Sequence, residues 1–137
     1  MIYLLDTNCC IRYLKGNPRV IRRLSSLLPS DIAVCSVVKA ELFYGAMRSN
    51  DPTRTLRVQQ RFLEQFVSLP FDDRAGLIHG QIRAQLTAAG TLIGPYDFQI
   101  AAIALANNLT LITHNTREFR RVEGLQIEDW EAAGDGN

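Results

Sequence analysis

Three acids stand out because each is a charge placed in apolar surroundings. Asp6 ends the run Ile2-Tyr3-Leu4-Leu5 and is the only formally charged side chain between Met1 and Ile11. Glu41 lies three residues after Val38 and four before Gly45, on the edge of an apolar helical stripe. Asp97 is the only charged residue between Arg83 and Arg117. Burying a carboxylate costs free energy unless something pairs with it. Clustered carboxylates also repel one another, so a proton or a cation must occupy a site where they converge. Oxygen-only ligands of this kind suit Mg²⁺ or Mn²⁺. Each acid has an ordinary structural reading as well. Asp6, Thr7 and Asn8 are all good N-cap residues. Glu41 fits a surface residue with a buried stem, and Asp97 near a helix start is favoured by the macrodipole.

The elements that must position these side chains alternate between strand and helix. Strands are expected at about Ile2 to Asp6, Asp31 to Cys35, Val67 to Pro70, Leu109 to Thr113, and briefly Leu125 to Ile127. A short helix fits Cys9 to Leu14, and Pro18 can open a second through Leu27. Ser36 is expected to cap a helix closing near Met47, and Asp51-Pro52 to open one reaching about Phe66. Further helices fit Asp72 to Ala89, stopped by Gly90, and the segment from Pro95 to Ala106, which is apolar nearly all round. A short helical turn starts at Arg117. This order predicts a three-layer α/β domain with a mostly parallel sheet of about five short strands. Right-handed crossovers put the carboxyl ends of parallel strands on one edge, where such sheets bind ligands. If the first, second and fourth strands are neighbours, Asp6, Glu41, Asp97 and Asn115 meet there.

The 137 residues suit one domain, expected over 1–131, with a short tail at 132–137. Net charge is +1, so bulk charge alone does not indicate a nucleic-acid partner. The cation type says more, because thirteen cations are arginine and only Lys15 and Lys39 are lysine. Arginine favours bidentate recognition of phosphate or carboxylate. Two arginine-rich faces, Arg19 to Arg23 and Arg54 to Arg61, fit either solvated surfaces or contacts to phosphate. Cys9, Cys10 and Cys35 lack metal-type spacing and read as buried thiols in a reducing compartment. His79 has no partner at ligand spacing and reads as structural or exposed. No basic leader and no bilayer-length apolar run is present, so a cytoplasmic protein is expected.

Four motifs in order carry a family resemblance. They are Leu5-Asp6-Thr7-Asn8, Ser36-x-x-x-Ala40-Glu41-Leu42-x-x-Gly45, Ile93-Gly94-x-x-Asp97-x-x-Ile100-Ala101-Ala102, and Leu111-Ile112-Thr113-x-Asn115-x-Arg117-Glu118-Phe119. Val122-x-Gly124-Leu125 and Glu128-Asp129-Trp130 follow. Over essentially the whole chain the pattern resembles PIN-domain ribonucleases, specifically VapC-type toxins of type II toxin–antitoxin systems. The resemblance implies an α/β/α fold and a divalent metal, Mg²⁺ or Mn²⁺, held by Asp6, Glu41 and Asp97. It implies Thr7 as an aid at the metal or its water shell, and hydrolysis of an RNA phosphodiester by water. Implied partners are a VapB-type antitoxin, a second copy of the chain, and structured RNA such as tRNA, with the initiator tRNA anticodon loop among the family's targets. No membrane partner is implied. With Asp6 taken as a ligand, helix capping is expected to fall to Thr7 or Asn8.

One departure concerns Asn115, which stands where many PIN domains carry a fourth acid. Its carbonyl oxygen can coordinate but adds no charge, and Glu118, one turn on, is a candidate substitute. Two other functions fit parts of the pattern. A phosphohydrolase could use Asp6 as nucleophile, although Asn8 replaces the second acid such enzymes often carry. A non-catalytic PIN-like module that only grips RNA or protein is consistent with Asn115.

Overall fold

The computed structural model describes residues 1–132. The tail expected at 132–137 therefore lies, from residue 133 on, outside the described residues. Five short parallel strands form one sheet in the order β3-β2-β1-β4-β5. They are β1 Tyr3–Leu5, β2 Ile32–Cys35, β3 Val67–Leu69, β4 Thr110–Ile112 and β5 Ile127–Glu128. The helices are α1 Thr7–Leu14, α2 Pro18–Ser25, α3 Ser36–Met47, α4 Pro52–Leu63, α5 Asp73–Ala89, α6 Pro95–Ala106 and α7 Thr116–Phe119. A 3₁₀ turn at Pro29–Asp31 leads into β2. The three-layer α/β/α architecture and the parallel sheet match the sequence expectation.

Strand order explains the layers. The chain steps from β1 to β2 to β3 in one direction, then crosses back to β4. Right-handed crossovers place α1 to α4 on one face of the sheet and α5 and α6 on the other. α1 packs on α2 and α3, α3 on α4, and α5 along α6. The core strands read as continuous apolar runs because both faces are covered. Leu4, Leu5, Ile32, Ala33, Val34, Cys35 and Leu111 are fully enclosed. α6 buries seven of its twelve residues, as its apolar composition requires. Edge strand β3 differs, with Val67 42% exposed.

Several boundaries shift from the expected ones for local reasons. Cys35, not Ser36, is the N-cap of α3, because β2 runs directly into the helix and Ser36 is already its first residue. α4 stops at Leu63, and its buried side chains are Gln59, Phe62 and Leu63. The last strand forms at Ile127–Glu128, two residues later than expected, beyond Gly124 with φ 81°. Gly90 terminates α5 with φ 71°, the left-handed conformation that glycine adopts at low cost.

Register aligns the carboxyl ends. Leu5 lies beside Ile112, and Ile112 beside Glu128. The residues that follow, Asp6, Thr113 and Asp129, therefore emerge along one edge. The Asp6 N–H donates to the Ile112 carbonyl at 3.1 Å and the Thr113 N–H to Glu128 at 3.0 Å.

Candidate active site

Asp6 leaves β1 and serves as the N-cap of α1, its Oδ1 accepting from the Cys9 N–H at 2.8 Å. This corrects the assignment of capping to Thr7 or Asn8. A single residue separates the strand from the helix, so Asp6 at the junction is the one in capping geometry. Capping takes one lone pair of one oxygen, and a carboxylate has about four. Asp6 is 4% exposed, which makes it a nearly enclosed charge. Burial is the main cause that pushes its carboxyl up to about 6. Hydrogen bonds from Thr113 and from the Cys9 N–H pull the other way, and the charges of Asp97 and Glu131 add to the rise.

Thr7 performs a different task from capping. Its hydroxyl donates to Glu41 Oε1 at 2.6 Å, across 34 residues of sequence. That bond ties the start of α1 to the second turn of α3 and fixes one carboxylate oxygen of Glu41.

Asp97 sits in the first turn of α6, behind Gly94 and Pro95. A β-carbon at Gly94 would stand 3.3 Å from Asp97 Oδ2, so glycine keeps the space this carboxylate occupies. Asp97 is half-buried, and burial is again the leading cause that raises it to about 6. The next causes are the charges of Glu118 and then Glu41. α3 touches α6, which brings Glu41 and Asp97 into each other's field.

The fold thus gathers Asp6, Thr7, Glu41, Asp97 and Glu118 around one edge of the sheet. Asn115 joins through its backbone: its N–H donates to Thr113 Oγ1 at 3.0 Å and its carbonyl accepts from Phe119. The Asn115 side chain forms no hydrogen bond with the acids among the described residues. Among the described residues, no lysine or arginine forms an ion pair with Asp6, Glu41 or Asp97. The donor set is therefore hard oxygen, anionic and lacking a protein counter-charge. It fits a divalent cation of the Mg²⁺ or Mn²⁺ type.

Two features escaped the sequence. Thr113 stands against Asp6 because β4 is its strand neighbour. A second cluster lies close by, where His114, Asp129 and Glu131 offer ligand atoms all within 4.8 Å of one another. Its members already have partners. His114 Nδ1 is 3.0 Å from Asp129 Oδ2, and Arg12 Nε is 3.3 Å from Glu131 Oε1. The remaining candidates behave as structure. Cys9, Cys10 and Cys35 are free, buried thiols, and burial pushes Cys35 up to about 11. His79 packs edge-on between Phe71 and Phe98.

A family model described as the PIN domain matches residues 3–125. The chain belongs to the PIN-domain family. Within that family it is 42% identical to the tRNA(fMet)-specific endonuclease VapC of Salmonella typhimurium over 128 residues, 93% of this chain and 97% of the relative. This PIN domain superposes on the chain in the DNA-bound VapBC structure from the same organism with a TM-score of 0.90. That match has 42% identity and covers 95% of this chain and 98% of the other. VapBC2 from Rickettsia felis, bound to a DNA fragment from its promoter, gives a TM-score of 0.89 at 34% identity, covering 95% and 99%. The VapC-type resemblance read from the four motifs is thereby established.

Proposed function

We propose that this chain is a divalent-metal-dependent endoribonuclease, the toxin partner of a VapB-type antitoxin, acting on structured RNA. The observation that carries the proposal is the site itself: buried and half-buried carboxylates converge from the end of β1, α3 and α6, and among the described residues none of them forms an ion pair with a lysine or arginine. Asp6, Glu41 and Asp97 would hold the metal. When bound, such an ion lowers the pKa of a water and stabilises charge on a phosphodiester. The chain's own side chains set the rest. Thr7 holds the Glu41 carboxylate in place, and supporting hydrogen bonds of this kind commonly matter 10- to 100-fold, roughly, in activity. Thr113 holds Asp6 and the Asn115 backbone together, so the segment after β4 is locked to the segment after β1. Glu118 lies in the field of Asp97 and supplies the negative charge that Asn115 does not.

The substrate is proposed to be tRNA, with initiator tRNA favoured because the Salmonella relative is named a tRNA(fMet)-specific endonuclease. The relatives solved as VapBC assemblies support an antitoxin partner, and the VapC-type resemblance supports a homodimer. No helix among the described residues is long and apolar enough to cross a membrane.

The test is cleavage of total and initiator tRNA by the purified chain in Mn²⁺, in Mg²⁺ and in excess chelator. Cleavage that requires the ion, is lost in Asp97→Asn, and leaves 5′-phosphate ends supports the proposal. Cleavage that survives chelation overturns the metal role. Tight RNA binding without any cleavage would favour the non-catalytic module.

A further inference from the structure

A polyanion must approach an edge that already carries several carboxylates, so cations elsewhere on the surface have to hold it. The two arginine-rich faces seen in the sequence differ once their partners are known. On the α1–α2 side three arginines, Arg12, Arg19 and Arg23, are engaged by the segment Glu128 to Glu131. Arg12 pairs with Glu131 at 3.3 Å, and Arg19 Nη1 donates to the Glu131 carbonyl at 3.1 Å. Arg23 pairs with Glu128 at 3.1 Å and stacks on Trp130 with its guanidinium 5.6 Å from the ring centre.

α4 is the opposite case. Arg54, Arg57 and Arg61 are exposed, and among the described residues none forms an ion pair. Their spacing of three and four residues puts them on one helical face. That face lies away from the buried Gln59, Phe62 and Leu63. At 1.5 Å per residue the row spans roughly 10 Å. One end of the row, Arg54, borders a groove that Glu41 lines. This groove of about 470 Å³ between α1, α3 and α4 is lined by Leu14, Lys15, Glu41, Arg54 and Val58, among others. Glu41 thus shares one concave surface with two unpaired cations.

We propose that this groove and the exposed face of α4 are the track for the RNA backbone. Arg54, Arg57, Arg61 and Lys15 hold successive phosphates of a single-stranded segment and lead it to Glu41. Planar guanidinium groups suit phosphate oxygens, and phosphate contacts set register without reading bases. Leu14 and Val58 give an apolar wall for sugars and base faces. The proposal rests on the nuclease reading, and it names where that substrate lies.

Binding of a fluorescein-labelled 12-nucleotide single-stranded RNA, measured in chelator across a series of salt concentrations, tests it without cleavage. Each phosphate neutralised contributes about −0.7 to the slope of log K against log salt for single strands. The triple variant Arg54→Ala/Arg57→Ala/Arg61→Ala is expected to flatten that slope by about 2 units and to weaken low-salt binding at least about tenfold. Arg57→Glu alone is expected to weaken binding further than Arg57→Ala. Arg22→Ala, on α2, is expected to leave slope and affinity unchanged. Circular dichroism melting with and without Mn²⁺ verifies fold and metal site in each variant. An unchanged slope in a folded triple variant overturns the track. So does a triple variant that loses antitoxin affinity while its RNA slope is intact, since the face then belongs to the protein partner. Failure of the parent reading looks different: wild type cleaves no RNA with Mn²⁺, whatever its slope.

Discussion

Two acidic clusters lie on neighbouring parts of the same sheet edge, and they are built to opposite specifications. The tighter one brings Asp129 and Glu131 together with His114, and Glu128 precedes Asp129 in sequence. Each acid has a protein partner: Arg23 and the Trp130 indole for Glu128, His114 for Asp129, Arg12 for Glu131. Asp6, Glu41 and Asp97 are more widely set and receive only neutral donors, from Cys9, Thr113 and Thr7. Closeness of ligand atoms and lack of a counter-charge therefore single out different clusters. Carboxylates already balanced by arginine and histidine pin the end of the chain to α1 and α2. Asp6, Glu41 and Asp97 have no ion-pair partner among the described residues, and burial, followed by neighbouring negative charge, raises Asp6 and Asp97 to about 6, a condition that an external cation would relieve.

The sharpest way to break this contrast is to remove one charge from each cluster. Asp97→Asn is expected to lower RNA cleavage by about a thousandfold or more, equivalent to about 4 kcal/mol of transition-state stabilisation. Glu131→Gln, in the tighter cluster, is expected to change it less than about threefold, since the Glu131 charge is already balanced by Arg12 and an isolated ion pair contributes little. Initial rates on the same tRNA decide the matter.

The next effect in size is on pH. Asp6 and Asp97 are acids whose folded values lie above their ordinary 3.8, so ionisation is what folding disfavours. In chelator, their contribution to stability is most favourable below about 4 and is lost as pH rises through about 6. Cation binding runs the other way, because it requires the ionised form. Between pH 7.5 and pH 5 the Mn²⁺ affinity is expected to fall by about a hundredfold, roughly tenfold for each carboxylate that takes up a proton. Calorimetric titration at the two pH values measures it.

Thr7→Val is expected to lower kcat by about 10- to 100-fold while preserving fold, because it frees the Glu41 carboxylate without removing it. The effects on stability have opposite signs at Asp6 and Glu128. Asp6→Asn keeps an oxygen for the Cys9 cap and removes a buried charge. In chelator at pH 7.5 it is expected to raise Tm by several degrees, from a gain of up to roughly 3 kcal/mol. Glu128→Gln is expected to lower Tm by a few degrees, since it weakens the contacts to Arg23 and Trp130 by about 1 kcal/mol.

Much of the site was legible because its acids interrupt apolar runs. A charge at the end of a core strand and another in an all-apolar helix are improbable without a task, and Asp6 and Asp97 could be found on that ground. The alternation of strands and helices likewise gave the layers and the shared edge. What could not be read were contacts between distant segments. Glu128 meets Arg23 across 105 residues, and Arg19 reaches the Glu131 carbonyl across 112. Nothing local distinguishes those arginines from Arg54 or Arg57. Capping at Asp6 escapes a reading that sets ligand and cap as alternatives, because the bond from the Cys9 N–H takes one lone pair and leaves the others of the carboxylate free. Ser36 looked like a cap from its type, but the strand before it leaves no loop in which a cap could form.

The most direct test of the central contrast is Mn²⁺ titration by calorimetry at pH 7.5 on wild type, Asp97→Asn and Glu131→Gln. Binding heat is expected to be retained in Glu131→Gln and lost in Asp97→Asn. Loss of binding in Glu131→Gln, with Asp97→Asn still taking up the ion, would place the metal in the wrong cluster and contradict the assignment.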